Sequence, residues 1–226
     1  MKSGNPKILL WLTLFSLAFG YIEAAVVVYL RELYYPGGFH FPLVDLPVQI
    51  IWTEMARELA TILLLFSVAM LAVKEGLRRF AVFAYCFGVW DLVYYLVLKI
   101  TLDWPSSFLE WDILFLIPVP WTGPVLAPML VATSLVFGAV LILRLSEEHL
   151  MQTDKNDWTI GIFAAVVIFA SFIWNSPVIA ADEILISYPW WLFATGYLVG
   201  AGWFTWRYLS MMHLVRGPGL INDRVK

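Results

Sequence analysis

In 226 residues the chain carries one cysteine, three histidines and a charged fraction of only 14%. Cys86 stands alone, which rules out an intrachain disulfide, a CxxC metal or redox pair and a haem-attachment motif. His40, His149 and His213 all fall outside the long apolar stretches, so a bis-histidine transmembrane haem is not expected. Basic residues are few and the net charge is −3, leaving no patch that could track a nucleic-acid backbone, and nucleic-acid binding is not expected. The sequence also has no GxSxG elbow, no HExxH, no phosphate-cradling glycine loop and no internal repeat.

What remains is apolar. Hydrophobic residues make up 62% of the chain and the mean hydropathy is +0.81, more apolar surface than a soluble domain of this size can hide. A membrane-spanning helix needs roughly 20 mostly apolar residues. Such runs occur near 8–30, 48–73, 80–102, 125–143, 158–179 and 189–209. The expectation is an all-α polytopic membrane protein of about six spans, forming a single membrane domain over 1–226. The first run exceeds the apolar core of a signal peptide, about 7–15 residues, and no small-x-small cleavage site with a soluble domain follows it, so a retained first helix is expected.

Lys and Arg set the expected orientation, because connections held in the cytoplasm are enriched in them. Lys2 and Lys7 precede the first run, Lys74, Arg78 and Arg79 separate the second and third, and Arg144 and Lys155 separate the fourth and fifth. Arg207, Arg216, Arg224 and Lys226 follow the sixth, while the intervening connections hold only Arg31. Both termini are therefore expected on the cytoplasmic side, in a bacterial inner membrane.

Segment 103–124 is too apolar for an ordinary loop and contains Pro105, Pro118, Pro120 and Pro124, which rule out a full spanning helix. A short interfacial or re-entrant helix over 107–116, followed by an extended connection, is expected there, with Trp104, Trp111 and Trp121 at headgroup depth.

Ionisable residues inside a span cost about 2.5–3.5 kcal/mol each on insertion scales, so they face a protein interior or a wet cavity. Glu23 lies in the first span, Glu54, Arg57 and Glu58 in the second, and Asp91 and Lys99 in the third; spans four to six hold none in their interiors. Glu54, Arg57 and Glu58 share one helical face, with Thr61 a turn deeper. The planar fork of Arg57 suits bridging two carboxylates. On the third span, Asp91, Tyr94, Tyr95 and Lys99 form a comparable stripe in which a tyrosine hydroxyl can link the two charges, and Ser16 and Gly20 let a neighbour approach Glu23. Glu54 and Glu58 fall about 9–15 Å below the outer end of their helix at 1.5 Å per residue. One outward-opening pocket can thus collect all six, under a vestibule of Tyr34, Tyr35, His40, Asp103, Glu110, Asp112, Asp182, Glu183, Trp190 and Trp191.

Four carboxylates against two cations cannot all stay ionised in a poor solvent. Either some are protonated and act as acids, or Glu23, Glu54, Glu58 and Asp91 hold a hard divalent cation. The expected catalytic group is Glu23, Glu54, Glu58 and Asp91, with Arg57, Tyr94, Tyr95, Lys99, Trp111 and Asp112 contacting substrate. The leading functional expectation is an enzyme acting on a lipid-like or isoprenoid substrate by acid or metal-assisted catalysis; 17% aromatic residues could steady developing positive charge. A proton- or cation-coupled transporter and a non-catalytic subunit of a larger membrane complex are the alternatives. The membrane lipid and a hydrophobic small molecule are the expected partners. Gly196 and Gly200 read as a helix-packing surface.

Overall fold

A computed structural model describes residues 6–145, 152–180 and 187–216. His149, Asp182, Glu183 and the basic residues Lys2, Arg224 and Lys226 lie outside them. The described chain is mostly helical: α1 (Pro6–Tyr34), α2 (Val48–Ala72), α3 (Gly76–Leu102), α4 (Leu126–Arg144), α5 (Lys155–Ile173), a short α6 (Ser176–Ala180) and α7 (Trp190–Arg216). Between α3 and α4 stand two strands, β1 (Trp111–Phe115) and β2 (Trp121–Pro124).

Five segments are long and apolar enough to cross a membrane: Lys7–Tyr34, Val48–Ala72, Gly76–Leu102, Leu126–Arg144 and Lys155–Ile179. The sixth expected span is the 27-residue α7, long enough, but diluted by Trp, Tyr, Thr, Gly and Arg207. Large apolar side chains face outward over these helices, with Leu71 at 87% exposure and Trp11 at 67%, as a lipid-facing surface requires.

Helix limits follow local chemistry. Pro36 stops α1, because the residue before a proline is pushed out of the helical region. Asp103 ends α3 in the left-handed region at φ 49°, a conformation that Asp tolerates better than most residues. Asp154 and Asp157 form a reciprocal capping box at the start of α5, each side chain accepting the other's backbone N–H at 2.9–3.0 Å. Segment 103–124 departs from expectation. Residues 107–116 do not form a helix, and the fold is not purely α: β1 and β2 pair antiparallel, with Asp112 opposite Gly123 and Ile113 opposite Thr122. Glu110 and Phe108 carbonyls accept from Val125 and Leu126, so the backbone before the hairpin caps the first turn of α4. Trp, Ile and Phe favour a strand, and the prolines at 118 and 120 turn it back.

Helix α3 is central, packed against α1, α2 and α4, while α5 packs against α7 and β2 touches α4 and α5. Small residues permit these close crossings. A Cβ on Gly20 would lie 2.8 Å from the Trp90 carbonyl of α3, and one on Gly196 would lie 2.9 Å from the Ala164 carbonyl of α5, in keeping with the packing roles expected for both glycines. Gly88 is tightest: its Cβ would meet the Ala132 carbonyl at 2.6 Å and Val136 at 2.8 Å. Gly88→Leu is expected to cost about 1–3 kcal/mol or more, because both obstacles belong to α4 and its backbone must yield. A thermal melt in detergent reads this directly, with Gly202→Ala, where no atom lies within 4 Å, as the neutral control.

Candidate functional site

The apolar helices α1, α2 and α3 bring their ionisable residues to one end of the bundle, beside the hairpin. Arg57 lies between two helices' carboxylates. Its Nε and Nη2 donate to Glu54 at 2.9 and 2.6 Å, and its Nη1 pairs with Glu23 across from α1. Thr61 donates to Glu23 at 3.1 Å. A guanidinium bridging two carboxylates was expected, but Glu23 of α1 is the second partner rather than Glu58 of the same helix. Glu58 turns instead to the hairpin, where both its oxygens accept the backbone N–H of Leu116, at 3.0 and 2.8 Å. Glu23, Glu54 and Glu58 are each buried, at 6–7% exposure.

Asp112, expected in an open vestibule, is sealed at 1% exposure. It accepts from Arg31 Nη2 at 2.7 Å, from the Tyr95 hydroxyl at 3.2 Å and from the Ile113 N–H at 2.9 Å. Burial pushes its carboxyl up, and the Arg31 guanidinium pulls it back toward the ionised form. Arg31 is itself held between rings, its Cζ 4.4 Å from the Phe39 centroid and 3.7 Å from that of Trp104. Arg31 escaped the sequence reading because it sits just beyond the first apolar run. Its signal was its place two helical turns after Glu23.

Lys99 does not join the cluster. It is half exposed and binds the Asp103 carboxylate at 2.7 Å and the Pro105 carbonyl at 3.1 Å, which holds the Asp103 carboxyl below its usual range. The expected tyrosine link between Asp91 and Lys99 is replaced by the Tyr95 to Asp112 bond. Trp111 packs edge-on against Tyr188, away from the charges. The vestibule is divided: Tyr34, Tyr35 and Asp112 line the same cavity as the charged residues, whereas Glu110 accepts from Ser106, His40 lies against Tyr35, and Trp191 is 65% exposed beside Trp174.

The remaining eight expected residues, Glu23, Glu54, Arg57, Glu58, Asp91, Tyr94, Tyr95 and Asp112, line one cavity of about 1850 Å³. Most of its wall is aliphatic or aromatic, with Phe87, Trp90, Phe115, Trp121 and Phe169 in sequential ring contact at 4.7–6.3 Å. The cavity continues between α3, α4, α5 and α7 toward the opposite end of the bundle. There Arg207 binds Asp157 through two bonds of 2.7 and 2.8 Å, and Trp203 donates to the same carboxylate at 2.9 Å. The pair ties α7 to α5.

No known family model, characterised protein or solved structure matches this chain.

Among the described residues, no three His, Cys, Asp or Glu side chains converge as a metal-binding group. Within the expected set of Glu23, Glu54, Glu58 and Asp91, Arg57 lies between Glu23 and Glu54, and the Leu116 N–H holds Glu58. Asp91 differs from the rest. Its Oδ2 is buried and has no hydrogen-bond partner.

Glu58 makes the hairpin part of the site. Glu58→Ala leaves the Leu116 N–H unpaired and is expected to weaken the local structure by about 1–3 kcal/mol. Hydrogen exchange over 111–124 should accelerate in the variant, while α5 and α7 keep their protection.

Proposed function

We propose that the chain crosses a bacterial inner membrane six times with both termini in the cytoplasm, and that it is an enzyme acting on a lipid-like substrate with Asp91 as proton donor. The observation that carries the catalytic reading is the partnerless carboxyl oxygen of Asp91 on the wall of a large apolar cavity. The other carboxylates expected in the site have protein donors: Glu23 and Glu54 share Arg57, Asp112 has Arg31, and Glu58 has Leu116 N–H. An unpaired carboxylate in such surroundings takes up a proton rather than bear the cost of charge.

In the reaction, the Asp91 proton passes to a basic or electron-rich atom of the bound lipid, and the aspartate left behind later takes a proton back. The ring surfaces of Trp90, Phe115 and Trp121 face the positive charge that develops on the substrate. Arg57 positions the carboxylates around the acid and makes no direct proton transfer. The volume supports a lipid, since cavities for drug-sized ligands run to about 300–1,000 Å³.

Six spans are supported by the alternating basic residues Lys7, Lys74, Arg79, Arg144 and Lys155 and by the length of α7. Single-cysteine labelling at 75 and 153 should then report the cytoplasmic face, and at 38 and 107 the opposite face. The enzyme reading is tested by profiling lipids of membranes with and without the chain. A lipid that falls on expression should be converted by the purified protein; no conversion of any such lipid would refute it.

A second reading rests on the extent of the cavity, which reaches from the polar cluster to the Asp157 and Arg207 pair at the other end. A path of that length suits a proton-coupled transporter. Proton-driven flux of a lipid probe in proteoliposomes, without chemical change, separates the two.

A further inference from the structure

We infer that the cavity takes a lipid whose polar end is an uncharged oxygen, an alcohol or a carbonyl, bound between Arg31 and Asp91. This inference rests on the lipid-enzyme reading and assigns Arg31 as a substrate-binding residue. Arg31 is more than nine-tenths buried, lines the cavity, and commits only one arm of its guanidinium to protein: Nη2 binds Asp112, while Nη1 is buried without a partner. Asp91 lines the same cavity with an equally unpartnered Oδ2. Asp112 joins the two residues, for it accepts from Arg31 Nη2 and from the Tyr95 hydroxyl, and Asp91 stands one helical turn before Tyr95 on α3. The large majority of buried polar groups are paired, and a partner from outside the chain completes this pair.

The charge around the corner selects that partner. Asp112 already balances Arg31, and Glu23, Glu54 and Glu58 outnumber Arg57, so a phosphate or carboxylate headgroup would add negative charge to a surplus. An ammonium has no lone pair to accept from the free arm of Arg31. A neutral oxygen has neither cost. Its lone pairs accept from Arg31 Nη1 and from the acid proton of Asp91, which also sets that proton on the atom to be activated. The chain of the same lipid then runs from the corner along Trp90, Phe115 and Trp121.

Binding can be measured on the full-length protein in detergent by titration calorimetry, using a polyprenyl alcohol, the matching aldehyde, its phosphate ester and the parent hydrocarbon. The alcohol and aldehyde are expected to bind about 10-fold more tightly than the hydrocarbon, the worth of a hydrogen bond to a charged group, and more tightly than the phosphate. Arg31→Lys, which keeps the charge opposite Asp112 but loses the fork, should erase the advantage of the alcohol and leave hydrocarbon binding unchanged. If that variant does not fold, Asp91→Leu should erase it equally. Equal binding of alcohol and hydrocarbon would overturn the oxygen subsite while the apolar cavity stands, and tightest binding by the phosphate would overturn it too. Binding of none of the four would remove the lipid reading with it.

Discussion

Asp91→Asn is expected to lower turnover by about 10²–10⁴-fold with no loss of folded protein, the range that removal of a general acid produces. Asn is nearly the same size and can still donate a hydrogen bond into the cavity, so packing on α3 and ligand affinity should both survive. It has no carboxyl proton to give. Because Asp91 Oδ2 makes no hydrogen bond to protein, no internal partner is orphaned by the change. The measurement is turnover of the lipid whose level responds to the chain, together with a thermal melt of the same preparation. Wild-type turnover by Asp91→Asn would pass the acid role to another carboxyl or eliminate it.

The largest effect on stability should come from Arg57→Leu. Arg57 is the cation shared by Glu23 of α1 and Glu54 of α2, both buried. Removing one partner of a buried ion pair costs about 3–5 kcal/mol, because the surviving charge has lost its compensation without regaining water. Here two carboxylates are stranded at once. The expected outcome is a large fall in the unfolding temperature or in the yield of folded protein. The combination Glu23→Gln, Glu54→Gln and Arg57→Leu should recover most of the loss, since no charge is left unbalanced. A triple variant as unstable as Arg57→Leu would place the cost in packing rather than in charge.

The helices were legible in the sequence because each depends on its own composition: long apolar runs mark them without reference to neighbours. Much of the site was legible for a related reason. Glu54 and Arg57 share a helix face by spacing alone, and ionisable residues stand out against an apolar background. The hairpin was hidden because its determinants are distant in sequence: Glu58 holds Leu116, Arg31 holds Asp112, and the carbonyls of Glu110 and Phe108 accept from the start of α4. Lys99 misled because a residue near a helix end can reach either inward or along the axis, and Asp103, one turn on, offered the nearer partner. Asp157 and Arg207 illustrate the same point, since fifty residues separate them and only the packing of α5 on α7 makes them a pair.

The central claim is that the cavity between α3, α4, α5 and α7 is a lipid-binding chamber with its polar corner at Asp91. The most direct measurement is a high-resolution map of the protein in lipid nanodiscs prepared from native membranes. The expected result is density for one elongated chain along Trp90, Phe115 and Trp121, ending within hydrogen-bond distance of Asp91 and Arg31. Closure of the cavity by direct packing of α5 and α7 onto α3 and α4, with no lipid inside, would contradict it.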